Sequence, residues 1–308
     1  MNTLRQHLRA LLSVTAVAAP LVLGLMTHDA VARERAVQRT HTAGGTINHN
    51  TVRQRHDGTY TANSTRVGAN GQVSTRTSTG TLDKEAGTWT RSATATGPNG
   101  NSSHFEALVT KTDDGYVRDA SRTGPNGKTS STHTEMVKTD NGRTIESTHT
   151  GVNGGVTTRS TDIVRTDSGL QRNTIVTTPN GKNITGSTIV TKTDNGTSSS
   201  TLVTGPNGQT LTREGSSSYD PDTKTLTRSA ITTGPNGKTA TYNSTTTRTE
   251  DGYVRDATRT GPNGNTVTAH AEGSYDPETK TGMSTKTITG PNGGSSTTTT
   301  TVGYTPAP

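Results

Sequence analysis

The chain contains no cysteine, so a disulfide framework, a thiolate metal site and a cysteine nucleophile are all excluded. Aromatic residues make up only 3% of it and hydrophobic residues 24%. That is too little apolar material for a large conventional core. Beyond the first 32 residues no apolar run is long enough to cross a bilayer as a helix. The motifs of familiar catalysts are also missing, among them G-x-S-x-G, H-E-x-x-H and G-x-G-x-x-G. The repeated "TGPNGKT" at Thr123 and Thr233 ends in Gly-Lys-Thr, but both copies lack the first glycine of a P-loop. The histidines fall at unmatched places, and the acidic turns carry too few converging oxygens for a calcium loop. These absences predict a protein that is not an enzyme and has no cofactor, no metal and no small-molecule substrate.

The N-terminus has a basic start (Arg5, Arg9), an apolar run from Ala10 to Met26 and small residues at Ala30-Val31-Ala32. This is the pattern of a secretory signal peptide over 1–32, which predicts an exported chain, extracellular, at the cell surface or in the periplasm. The net charge of +7 is unevenly spread. Between Arg33 and Arg66 six arginines (Arg33, Arg35, Arg39, Arg53, Arg55, Arg66) face only Glu34 and Asp57. Residues 33–43 read as a flexible basic arm, and the six arginines as a contact for polyanions.

What the chain does have is a repeat. Glycines at 44, 71, 100, 127, 154, 181, 208, 237, 264 and 293 are spaced by 27 or 29 residues. They divide residues 44–293 into nine units and leave a half unit and tail at 294–308. Gly71, Gly100, Gly127, Gly154, Gly181, Gly208, Gly237, Gly264 and Gly293 close N-G turns, six of them of the form G-P-N-G, which suit a three-residue hairpin loop with a bulge. A second turn, such as "DDG" or "DNG", recurs about 15 residues later and is read as the same loop. In the 29-residue units a loop such as "YDPDTK" replaces it, and the two added residues preserve the side-chain alternation of a strand. Threonine-rich alternating segments connect the turns. The fold predicted is an extended antiparallel β-meander of about 18–19 short strands, with a two-strand-per-coil β-solenoid as the alternative. An outer-membrane barrel is set aside because nine aromatics cannot furnish its lipid face.

The loops at Tyr219 and Tyr275, "YDPDTK" and "YDPETK", resemble the YD repeats of large secreted shell-forming proteins, which are also antiparallel β arrays. The resemblance covers two of the nine units and implies no more than that architecture. The functional expectation is a non-catalytic, low-complexity structural or interaction protein: a surface filament, stalk, adhesin or biofilm-matrix component that meets glycans or its own copies through exposed strand edges. The alternative is a soluble binder of acidic polymers, polysaccharide or extracellular DNA, acting through the basic arm.

Overall fold

The computed structural model describes residues 31–41 and 45–306; most of the leader expected over 1–32 lies outside them. Twenty strands follow one another in chain order. They are β1 (Val31–His41), β2 (Thr46–His56), β3 (Thr59–Val67), β4 (Val73–Asp83), β5 (Thr88–Thr96), β6 (Ser102–Lys111), β7 (Gly115–Thr123), β8 (Thr129–Thr139), β9 (Gly142–Thr150), β10 (Val156–Thr166), β11 (Gly169–Thr177), β12 (Asn183–Thr193), β13 (Gly196–Thr204), β14 (Thr210–Asp220), β15 (Thr225–Thr233), β16 (Thr239–Arg248), β17 (Gly252–Thr260), β18 (Thr266–Asp276), β19 (Thr281–Thr289) and β20 (Ser295–Pro306). Each pairs antiparallel with the next.

The last strand then pairs with the first, from Val31 opposite Pro306 to His41 opposite Ser296. This ladder overturns the open meander and the solenoid alike, because the 20-stranded sheet closes on itself. It also corrects the expectation of a free arm, since residues 33–41 are strand β1, held on both sides. Closure satisfies the backbone groups that an open sheet would leave bare at its edges. With strands about 4.8 Å apart and tilted by about 35°, such a barrel is roughly 37 Å across between backbones and roughly 25–29 Å tall.

The two kinds of turn need glycine for different reasons. In Gly124-Pro125-Asn126-Gly127, the Gly127 N–H donates to the Gly124 carbonyl at 3.0 Å and the Gly124 N–H donates to Lys128 at 2.9 Å. Gly127 has φ of 75° and an added Cβ would meet nothing, so only its backbone conformation calls for glycine. The D-x-G turns that end at Gly142, Gly169 and Gly196 are shorter than expected. In the β8–β9 hairpin only Asp140 and Asn141 separate the paired Thr139 and Gly142. There a Cβ on Gly142 would lie 1.8 Å from the Ile163 carbonyl oxygen, and Gly115, Gly169, Gly196 and Gly252 are equally crowded by the next strand. In the longer loops the Asp220 carboxylate accepts the N–H groups of Asp222 and Thr223 and the Thr223 hydroxyl, and Asp276 repeats the pattern with Glu278 and Thr279. Both loops end on a lysine with φ of 52°. G-P-N-G turns thus form one mouth of the barrel, and D-x-G turns with the longer loops form the other.

Candidate functional site: a cationic lumen

Alternation along each strand divides side chains between two faces, and the register carries each face unbroken round the barrel. The inner wall is concave, so side chains crowd there. Among the described residues, all twelve buried ones other than glycine, such as Ala62, Ala93, Thr161, Thr174, Ser244 and Ala271, lie on the same face, which is the lumen. Several aliphatic residues of the other face, including Leu108, Ile175, Ile189 and Ile231, stand exposed.

Charge is sorted by face without exception among the described strand residues. All nineteen strand arginines and the four strand lysines point into the lumen, and all twelve strand carboxylates point outward. On β7 the inward set is Tyr116, Arg118, Ala120 and Arg122 and the outward set includes Asp119; on β17 it is Tyr253, Arg255, Ala257 and Arg259, with Asp256 outside. Arginines therefore sit above and below a mid-height belt of small residues. The alanines, serines and threonines of that belt are buried because long guanidinium side chains flank them. Four cross-strand hydroxyl pairs knit the belt, Thr51 with Ser64, Thr134 with Ser147, Thr161 with Thr174 and Thr188 with Thr201, at 2.9 to 3.2 Å.

The lumen is electrostatically positive at specific groups. Burial and the neighbouring Arg172 cation hold the Arg159 guanidinium below its usual pKa. Burial works to raise the Tyr242 phenol, but hydrogen bonds with Ser244 and Arg255 and the charges of Arg255 and Arg228 outweigh it, leaving the phenol below its ordinary value. Arg255 Nη2 donates to the Tyr242 hydroxyl at 2.6 Å. The Arg91 Nε is buried without a hydrogen-bond partner.

Arg33, Arg35, Arg39, Arg53, Arg55 and Arg66 are all on the lumenal face, on three adjacent strands. They belong to one continuous lining rather than to a separate N-terminal arm. The remaining arginines and lysines escaped notice in the sequence as one surface. Their signal was parity: acids sit at odd spacing from arginines, as in Arg118-Asp119, Arg213-Glu214 and Arg255-Asp256.

All eight aromatics whose side chains are described also face the lumen. Six of them, Tyr60, Trp89, Tyr116, Tyr219, Tyr253 and Tyr275, stand at the D-x-G mouth, within the first or last two residues of their strands. Arg55 lies opposite Tyr60, Lys111 opposite Tyr116 and Arg248 opposite Tyr253. The Arg55 guanidinium carbon is 5.9 Å from the Tyr60 ring centre. The loop tips extend this asymmetry. The D-x-G mouth carries every acidic turn residue described, whereas the G-P-N-G mouth carries Lys128, Lys182 and Lys238 and no acid.

The outer wall is hydroxyl-rich, and most of its carboxylates are partnered. Glu34 accepts from Asn50, Glu146 from Ser160 and Glu214 from Ser200, at 2.6 to 2.9 Å. His133 meets Asp119 and His270 meets Asp256, both at 2.7 Å, so histidines that look scattered along the chain are placed by cross-strand register. Among the described residues no group of three ligating side chains could hold a metal ion, and no helix is long and apolar enough to cross a membrane.

The edge-mediated filament, stalk, adhesin or matrix role loses its basis in this architecture, since the closed ladder has no exposed strand edge through which copies would join. The repeats are hairpins of one barrel rather than links of an extendable array, and the arm that would have bound acidic polymers is part of the wall. No known protein family matches the chain, and no curated protein does. Among solved structures, a triple mutant of the Rhodopseudomonas blastica porin is similar with a TM-score of 0.48 and 8% identity, covering 91% of this chain and 100% of that one. A second variant of the same porin gives 0.49, also at 8% identity and with the same coverage. These similarities are to large β-barrels, and closure here rests on the β20–β1 ladder itself.

Proposed function

We propose that this barrel, exported to the cell envelope, holds anions in its lumen and passes them along its axis without converting them. The observation that carries the reading is the complete separation of charge, with twenty-three cationic side chains inside and no strand carboxylate among them. A low-dielectric wall lined by one sign of charge focuses the field along the passage and raises the local concentration of the opposite ion. Arginine predominates over lysine, and its planar fork suits phosphate, sulfate and carboxylate.

Equilibrium dialysis with tripolyphosphate tests this. Binding is expected to weaken steeply with salt and to fall by an order of magnitude in the pair Arg118→Glu, Arg255→Glu. The outward pair Asp119→Lys, Asp256→Lys is expected to leave it within about twofold. Equal loss from both pairs, or tighter binding of spermine than of tripolyphosphate, would refute the reading.

A lipid-spanning pore is the second reading, favoured by closure and by a height close to a bilayer's hydrocarbon thickness of about 30 Å. The wall opposes it: outward carboxylates at mid-height are costly in acyl chains, and a lipid-facing barrel carries aromatic girdles outside, where this one has none among its described side chains. Flotation with liposomes separates the two. A barrel left in the aqueous fraction supports the water-bathed form, and one that floats and gives anion-selective conductance supports the pore.

A further inference from the structure

The collar of aromatics and cations at the D-x-G mouth is more specific than an anion-holding lumen requires. Tyr219, Tyr253 and Tyr275 are 45%, 37% and 50% exposed, so their rings are open to a ligand. Tyr253 lies over Gly273, where its Cε1 would be 2.5 Å from an added Cβ. The indole of Trp89 likewise lies over Gly80, with Nε1 3.4 Å from the Cβ position. Glycine clears the wall so that each of these rings can lie against it, which offers a ring face to the lumen.

Two stations of this collar are opposed. Asp114 to Gly127 and Asp251 to Gly264 differ only at Ser121 and Thr258. They form β7 and β17, ten strands apart in a ring of twenty, and so face each other across the lumen. Each station has a cation directly opposite its tyrosine, Lys111 for Tyr116 and Arg248 for Tyr253; a second collar aromatic stands on the next strand for Tyr253, Tyr275, and two strands away for Tyr116, Trp89. Just beyond the collar the acidic loop tips form a barrier, whereas the far mouth is basic. An anion drawn in from the basic mouth therefore comes to rest at the collar.

We propose that the collar binds planar aromatic anions, such as nucleoside phosphates, at two opposed stations built on Tyr116 and Tyr253. A ring stacks on the tyrosine while the facing cation and the first arginine of the lumen, Arg118 or Arg255, neutralise the charged group. This rests on the anion-holding lumen and adds a ligand class to it.

The only tryptophan, Trp89, lies in the collar and reports binding through its fluorescence. AMP, ribose 5-phosphate and adenosine are titrated separately. AMP is expected to bind about tenfold more tightly than either, as stacking and charge each contribute, and equilibrium dialysis is expected to count two AMP sites per barrel, since Trp89 reports the Tyr116 side alone. Changing Tyr116→Leu together with Tyr253→Leu should bring AMP to the level of ribose 5-phosphate and leave tripolyphosphate binding unchanged. Equal binding of AMP and ribose 5-phosphate by the unaltered protein overturns the collar and leaves the anion-holding lumen standing. Failure of tripolyphosphate to bind at all removes the lumen reading and the collar with it. The comparison on unaltered protein is decisive even if the double variant does not fold.

Discussion

At the scale of single residues, glycine and histidine show how much depends on what stands opposite. Gly127 is needed only for its left-handed backbone, so Gly127→Ala is expected to cost about 1–2 kcal/mol, the penalty of that conformation. Gly142 carries no such φ, yet the Ile163 carbonyl occupies the place of its Cβ at 1.8 Å. Gly142→Ala must push two strands apart and should destabilise by clearly more than Gly127→Ala in urea unfolding; equal costs would mean that the close approach is not real. His270 makes a second case. Its hydrogen bond to Asp256 raises its pKa above 6.5 against the opposing effect of desolvation, helped by the lesser effects of the Asp256 and Glu272 charges. Because the folded value is the higher one, the stabilisation is fully present below the unfolded pKa and disappears as pH rises through the folded one. An NMR titration should find His270 titrating above 6.5 in the native protein and lower in Asp256→Asn. Neither role could be read from the local sequence, since each depends on a partner on the neighbouring strand.

Elements were more legible. The spacing of turn signals at 27 or 29 residues fixes where strands begin and end, and the two extra residues of the longer loops keep the inward set aligned, with Tyr219 opposite Leu226 just as Lys138 is opposite Arg143. The turns at Gly142 and Gly196 are two-residue turns rather than three-residue loops, because glycine there serves to admit a neighbouring strand rather than to supply a left-handed backbone. Strand β1 was missed because its arginines suggested a solvated arm. Yet Arg33, Arg35 and Arg39 recur with even spacing, which marks one face of a strand. The long loops bring their own pH dependence. Hydrogen bonds from Thr223 and Asp222 hold the Asp220 carboxyl below its usual range, and Asp276 is held in the same way by Thr279 and Glu278. Their contribution is therefore present above the unfolded pKa and is lost as pH falls through the lower, folded one. Amide exchange at Asp222 and Thr223 should accelerate in acid, and Asp220→Ala should accelerate it at neutral pH as well.

At the scale of the whole molecule, closure governs everything else, and closure is what the sequence could least reveal. The pairing of β20 with β1 joins the two ends of the chain and leaves no local mark; an even number of strands permits it, but an open sheet can have an even number too. Without closure the sorting of charge would give only a sheet with one basic and one acidic face. Such sheets would stack or pair at their edges and lose the one-signed interior. Removing β20 by ending the chain at Gly294 tests the dependence, because it bares both the β1 and the β19 edges, each formerly hydrogen-bonded along its length. Bare strand edges recruit other strands. The truncated chain is expected to self-associate and to lose tripolyphosphate binding, while the full chain scatters X-rays as a hollow monomer roughly 37 Å across between backbones. A truncated chain that stays monomeric and binds the anion as before would show that the lumen does not depend on the ring, and the assignment of inner and outer faces would fall with that result.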